Sequence, residues 1–112
     1  MIMDISKLAK ADLNLLVALH VLIEERSVSK AANRLHVTQP AMSKTLNRLR
    51  ETFDDPLFAR SKRGIQPTPR AEALASELIH VLSDIKGLLD AGEFSPQAFR
   101  GEIVIAISEY VG

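Results

Sequence analysis

Ser29–Phe53, SKAANRLHVTQPAMSKTLNRLRETF, reads as two short helices joined by a tight turn. Lys30 to Leu35 makes the first, with Ala31 and Ala32 small enough to let another helix lie close. His36-Val37-Thr38 makes the turn. Thr38 suits the N-cap of the second helix because its hydroxyl accepts an otherwise orphan backbone N–H, and Pro40 fits the first turn, where its missing donor does no harm. Within that second helix Met42, Leu46, Leu49 and Phe53 follow at intervals of four, three and four, an apolar stripe that must face a core. Gln39, Pro40, Ser43, Lys44, Asn47 and Arg48 then lie on the opposite surface, with no acidic residue before Glu51. Such a face has the chemistry of a major-groove reader, since Gln, Asn, Lys and Ser meet the donor and acceptor edges of bases. A merely solvated helix face is the alternative, as most amphipathic helices expose polar residues.

The flanking chain decides between them. Asp54-Asp55-Pro56 breaks the helix, Leu57–Arg60 reads as a short strand, Ser61–Gly64 as a turn and Ile65–Pro67 as a returning strand. The hairpin carries Lys62 and Arg63 at its tip, placed as a wing to contact phosphates or enter a minor groove, with a plain solvated turn as the alternative. Upstream, Met1 to Ala11 reads as a frayed lead-in. Asp12 caps a helix from Leu13 to about Arg26 whose apolar residues cover most of its circumference, a scaffold for both shorter helices. His20 on it has no ligand partner at helical spacing and reads as a surface or hydrogen-bonded histidine.

Thr68-Pro69 opens a last long helix by the same cap-and-proline logic, running to about Ala91. Leu74, Leu78, Val81, Ile85 and Leu88 form a heptad seam, with Leu82 and Leu89 beside it. Pairing with a second copy of the helix is the expected use of so long a stripe; packing on the first helix is the competing one. Ala91 to Gly101, with its glycines, Ser95 and Pro96, reads as a hinge, and Glu102–Ile107 as an apolar strand followed by Ser108 at a helix cap. A lone strand makes no sheet, so this reads as the opening of a second domain.

Composition narrows the class. The 112 residues suffice for one compact domain, and no apolar run reaches the length of a membrane span. No signal peptide is visible, and the absence of cysteine fits a reducing cytosol. A net charge of zero hides an asymmetry: residues 1–70 hold 12 Lys+Arg against 7 Asp+Glu, a net +5, and residues 71–112 hold 2 against 7, a net −5. Basic charge concentrated around the helix pair favours a polyanion there. There is no HExxH, GxSxG or phosphate-loop motif and the three histidines lack ligand spacing, so neither an enzyme nor a cofactor or metal is expected.

AANRLHVTQPAMSKTLNRLRETFDDPLFAR resembles the helix-turn-helix signature of the LysR-type bacterial transcriptional regulators, with the alanine pair, TQPAMSK and DPLFxR in order and at the right spacing. The resemblance covers roughly Asp12 to Leu89, and the TPRAEALA continuation suits the branch with nodulation and aromatic-catabolism regulators. It implies that two copies of the last helix pair antiparallel, that a pair of effector-binding α/β lobes would follow, and that Ser108 stands where a serine often lies at the effector pocket. The family commonly has arginine where Lys44 stands; lysine is a point donor and lacks the fork that reads guanine bidentately.

The expected fold is mainly α: a winged helix-turn-helix of three helices and a two-stranded wing over residues 1–68, a dimerisation helix over 69–91, a hinge over 92–101 and the first strand of an effector-binding domain over 102–112. Its expected function is sequence-specific binding of double-stranded DNA as a homodimer, with larger homo-oligomers open, in the bacterial cytoplasm. An effector would act only in a longer form. Gln39 suits adenine and Lys44 guanine O6/N7, Pro40 suits a thymine methyl, and Ser43 and Asn47 suit bases or phosphates. Thr38, Arg48, Lys62 and Arg63 suit the phosphate backbone. Pairing falls to Leu74, Leu78, Val81, Leu82, Ile85, Leu88 and Leu89. The rival function is a helical protein-interaction module without specific DNA reading.

Overall fold

The computed structural model describes residues 5–90. Its elements are α1 (Ser6–Lys10), α2 (Leu13–Glu25), α3 (Val28–Arg34), α4 (Gln39–Phe53), β1 (Phe58–Ser61), β2 (Gly64–Pro67) and α5 (Pro69–Asp90). This is the mainly helical winged helix-turn-helix expected from the sequence. Packing divides the chain after Leu82, inside α5. The hinge over 92–101, the strand over 102–112 and Ser108 lie outside the described residues.

Asp12 caps α2 by accepting from the Asn14 backbone N–H at 3.0 Å, and the helix buries Leu15, Ala18, Leu19, Val21 and Leu22. Both α3 and α4 pack on it and on each other. Ala31 and Ala32 are buried in that junction, where a larger side chain would push the helices apart. Two differences from the sequence reading concern ends. Ser6–Lys10 is helical where a frayed lead-in was expected, though it buries none of its residues. α3 starts at Val28 and not at Lys30, because the Ser27 hydroxyl accepts from Lys30 N at 3.2 Å and caps it.

The turn between α3 and α4 is a helix C-cap made without glycine. His36 is left-handed at φ 59°, its N–H donates to Asn33 O at 3.2 Å, and Val37 N–H reaches back to Ala32 O at 3.0 Å. Thr38 then starts α4, its Oγ1 accepting from Ala41 N–H at 3.2 Å. Thr38→Ala is expected to cost about 1 kcal/mol, read as a lower melting temperature without change in helix content of the native state.

At the far side of α2, Arg34 Nη1 donates to Glu24 Oε1 at 2.6 Å and to Glu25 Oε2 at 3.1 Å, tying α3 to α2. The Arg34 hydrogen bond holds the Glu24 carboxyl below the usual carboxylate range. His20 is half-buried, with Nε2 3.3 Å from Glu24 Oε1.

Candidate nucleic-acid interface

α4 is two-faced for the reason its spacing implied. Met42, Leu46 and Leu49 are buried against the core, and Phe53 is half-buried beside them. Gln39, Pro40, Ser43, Lys44, Asn47 and Arg48 are all exposed, as is the capping Thr38. Steps of four make two neighbouring rows, Gln39–Ser43–Asn47 and Pro40–Lys44–Arg48. Their far ends are held by different parts of the protein. Arg48 Nη1 lies 3.6 Å from Asp12 Oδ2 at the start of α2, while Asn47 Oδ1 accepts from Arg50 Nη1 at 3.2 Å. Arg48 thus lies beside a carboxylate, and its guanidinium has further N–H donors free of that contact. Lys44, Lys62 and Arg63 are in none of the ion pairs among the described residues.

β1 and β2 pair antiparallel, with Phe58 opposite Pro67 and Ser61 opposite Gly64, which leaves Lys62 and Arg63 as the exposed two-residue tip. Strand limits differ by one residue from the reading, because the ladder closes at Ser61 and Gly64. The wing is docked by backbone. Ile65 N–H donates to Arg26 O at 3.1 Å, and Arg26 Nη1 donates to Gln66 Oε1 at 3.2 Å. Arg26 can face the wing because it is left-handed at φ 53°.

Asp54-Asp55-Pro56-Leu57 is more than a breaker. Asp54 is left-handed at φ 51°, and Asp55 N–H donates back to Arg50 O at 3.2 Å to end α4. Phe58 N–H donates to Pro56 O at 2.7 Å across Leu57, which has φ 64°: a three-residue γ-turn, rare and strained for a branched residue. Asp55 Oδ2 stabilises it by accepting from Leu57 N–H at 2.7 Å and from the Thr68 hydroxyl at 2.9 Å. The same turn is gripped by Arg50, whose Nε donates to Pro56 O at 2.8 Å and whose Nη2 reaches Phe58 O at 3.5 Å. Sequence reading missed Arg50, Arg26 and the Asp12–Arg48 pair. Only the spacing of three between Asn47 and Arg50 was visible as a signal.

The seven residues expected to pair copies separate into two sets. Leu78 is buried at 5% exposure, and Leu74 and Leu82 are half-buried against the same core as α2, α3 and α4. The first part of the stripe is therefore covered by its own protomer. Val81, Leu88 and Leu89 are exposed, Ile85 is half-buried, and Ile79, absent from the reading, is exposed at 56%.

Comparison with known proteins fits this geometry. The model for bacterial regulatory helix-turn-helix proteins, lysR family, matches residues 13–72. HTH-type transcriptional regulator SyrM 1 of Sinorhizobium fredii is 46% identical over 85 residues, 76% of this chain and 25% of that protein. Nodulation protein D 1 of a Bradyrhizobium species is 41% identical over 101 residues, 89% of this chain and 32% of that one. The chain spans about a quarter to a third of the length of the curated relatives it matches. Among solved structures, a probable transcriptional regulator, PA0477 from Pseudomonas aeruginosa, superposes with a TM-score of 0.72 at 39% identity, over 80% of this chain and 30% of that one. The BenM DBD/catB site 1 DNA complex gives 0.67 at 26% identity, over 74% of this chain and 89% of that one.

Proposed function

The chain belongs to the lysR family of bacterial regulatory helix-turn-helix proteins, and on that premise we propose that it reads an inverted-repeat operator as a homodimer. α4 lies in the major groove and the Lys62–Arg63 tip lies on the flanking backbone or minor groove. What carries this reading is the division of α4: three apolar side chains sealed into the core, and an unbroken outer surface of Gln39, Pro40, Ser43, Lys44 and Asn47. Base edges fall to those five, and Thr38, Arg48, Lys62 and Arg63 neutralise or bond phosphates. Residues 1–68 are the reading head and 69–91 the linker helix, followed by a hinge over 92–101 and the start of an effector-binding domain at 102–112. In a full-length form, acting in the cytoplasm, a small effector would bind in that second domain. Twofold pairing sets the half-sites one or more helical turns apart.

The decisive experiment is selection of bound sequences from random DNA by the purified chain, followed by salt-controlled titration. An inverted-repeat consensus is expected. Affinity should fall with salt, log K dropping by roughly 0.9 per log unit of salt for each phosphate neutralised. Lys44→Ala is expected to cost about 1–3 kcal/mol on the selected site and much less on random DNA. Equal losses on both would move Lys44 to the backbone contacts. No enrichment at all would favour the rival reading, a protein-interaction module.

A further inference from the structure

We propose that Arg50 is a positioning residue for this reading helix: it holds the Asn47 carbonyl oxygen, so that the Asn47 NH2 group is the end of the amide turned to the duplex and acceptor atoms are what it preferentially contacts. The inference rests on α4 lying against DNA and deepens that reading.

The chemistry leaves little freedom. A guanidinium has donors and no acceptor, so the atom of Asn47 that faces Arg50 at 3.2 Å must be the oxygen, and the nitrogen is left pointing away. An isolated surface bond of this length would be made and broken freely. Here the guanidinium is already fixed by two backbone carbonyls, Pro56 O at 2.8 Å and Phe58 O at 3.5 Å, one on each side of the Leu57 turn. Little further side-chain entropy is lost when its Nη1 meets Asn47. A free asparagine reads adenine with both atoms of its amide, accepting from N6 and donating to N7. With one lone pair of its oxygen taken and the amide turned to suit Arg50, Asn47 is poorly placed for that two-atom contact. The acceptors that suit its outward NH2 group are guanine O6 or N7, adenine N7, thymine O4 or a phosphate oxygen. The same guanidinium joins α4 to the start of β1, so the outward amide and the base of the wing are set by one group.

Two measurements test this, one without DNA. In the free chain, nitrogen-resolved NMR is expected to show separate, slowly exchanging Arg50 Nη signals, and the Nη1 signal should shift in Asn47→Ala while the two stay resolved. Averaged Nη signals in the wild-type chain overturn the lock whatever DNA does. On the selected operator, Asn47→Ala identifies the contacted base pair by a loss of discrimination of about five-fold or more. At that pair, wild-type binding should weaken when an acceptor is deleted, with a 7-deaza purine or 4-thiothymine. It should change much less when an exocyclic amine is deleted, with purine for adenine or a 4-unsubstituted pyrimidinone for cytosine. An equal loss on operator and random DNA in Asn47→Ala places the amide on a phosphate, which also accepts only, and supports the proposal. Dependence on the exocyclic amine that vanishes in Asn47→Ala overturns it, as does unchanged binding by Asn47→Ala. Resolved Nη signals with no selected sequence would leave the lock standing within the protein, overturn its part in reading DNA, and count against the function proposed above.

Discussion

Replacing Leu88 and Leu89 together by glutamate is expected to leave the head folded and to lower affinity for a two-half-site operator by about 10²–10⁴-fold. Both leucines are exposed, at 74% and 71%, and neither belongs to the core cluster, so the melting temperature of the head should hardly move. Two apolar side chains adjacent on a helix end are poorly used as a solvated surface, whereas a second copy would cover them. Glutamate at both positions puts like charges and desolvated carboxylates into that contact. What is lost is the tether between heads: each half-site must then be bound independently, without the raised local concentration that pairing supplies. Sedimentation should report a monomer, and titration on a single half-site should be unchanged. An unchanged dimer would show that copies pair elsewhere. Leu78, the second leucine of the same heptad stripe, is the wrong residue for this test. At 5% exposure it lies in the core, and a polar side chain there would unfold the head before reporting on pairing.

Gly64→Ala is expected to destabilise the head by about 3 kcal/mol or more, from backbone strain added to a lost hydrogen bond. Gly64 has φ +133°, a conformation that side-chain-bearing residues rarely adopt, and a Cβ there would stand 2.3 Å from Arg26 O. That carbonyl cannot yield cheaply, because it belongs to the left-handed residue that ends α2 and it accepts from Ile65 N–H. The wing must therefore peel away from the helix end, giving up Ile65 N–H to Arg26 O and loosening the Arg26–Gln66 bond. For a domain of this size the melting temperature should drop by roughly 12 °C or more. Contacts from Lys62 and Arg63 should weaken in parallel, seen as a smaller salt dependence of DNA binding. Gly87→Ala is the matched control. Nothing lies within 4 Å of its added Cβ, and alanine in an exposed helix interior is worth up to about 1 kcal/mol more than glycine. A Gly64→Ala protein as stable as the parent would mean that the wing does not need its seat on α2.

The reading helix was legible in the amino-acid order because its determinants are local. A hydroxyl cap at Thr38, proline in the first turn and the Met42–Leu46–Leu49 stripe fix where α4 starts and which side it buries. Once one side is sealed, the other is exposed, and Gln39, Ser43, Lys44 and Asn47 follow without knowledge of any neighbour. The hairpin was legible for the same reason, with Pro56, Gly64 and Pro67 marking its limits.

Contacts between elements were not legible in that way. Arg50 and the 56–58 turn, Arg26 and the wing, and Asp12 and Arg48 are pairs whose members sit on different elements, up to 40 residues apart. No periodicity encodes which polar side chain on one element meets which carbonyl on another. The fate of the α5 stripe was undecidable for a related reason. A heptad pattern states that leucines lie in line, but whether they are covered by their own protomer or by a copy depends on where the helix emerges from the core. In the folded chain Leu74, Leu78 and Leu82 are covered at home and Leu88 and Leu89 are not. Sequence by itself determined α2 to α5 and the hairpin, their faces and the charge they carry; tertiary packing alone decided which of those side chains remain free to act, because burial and pairing are settled by neighbours distant along the chain.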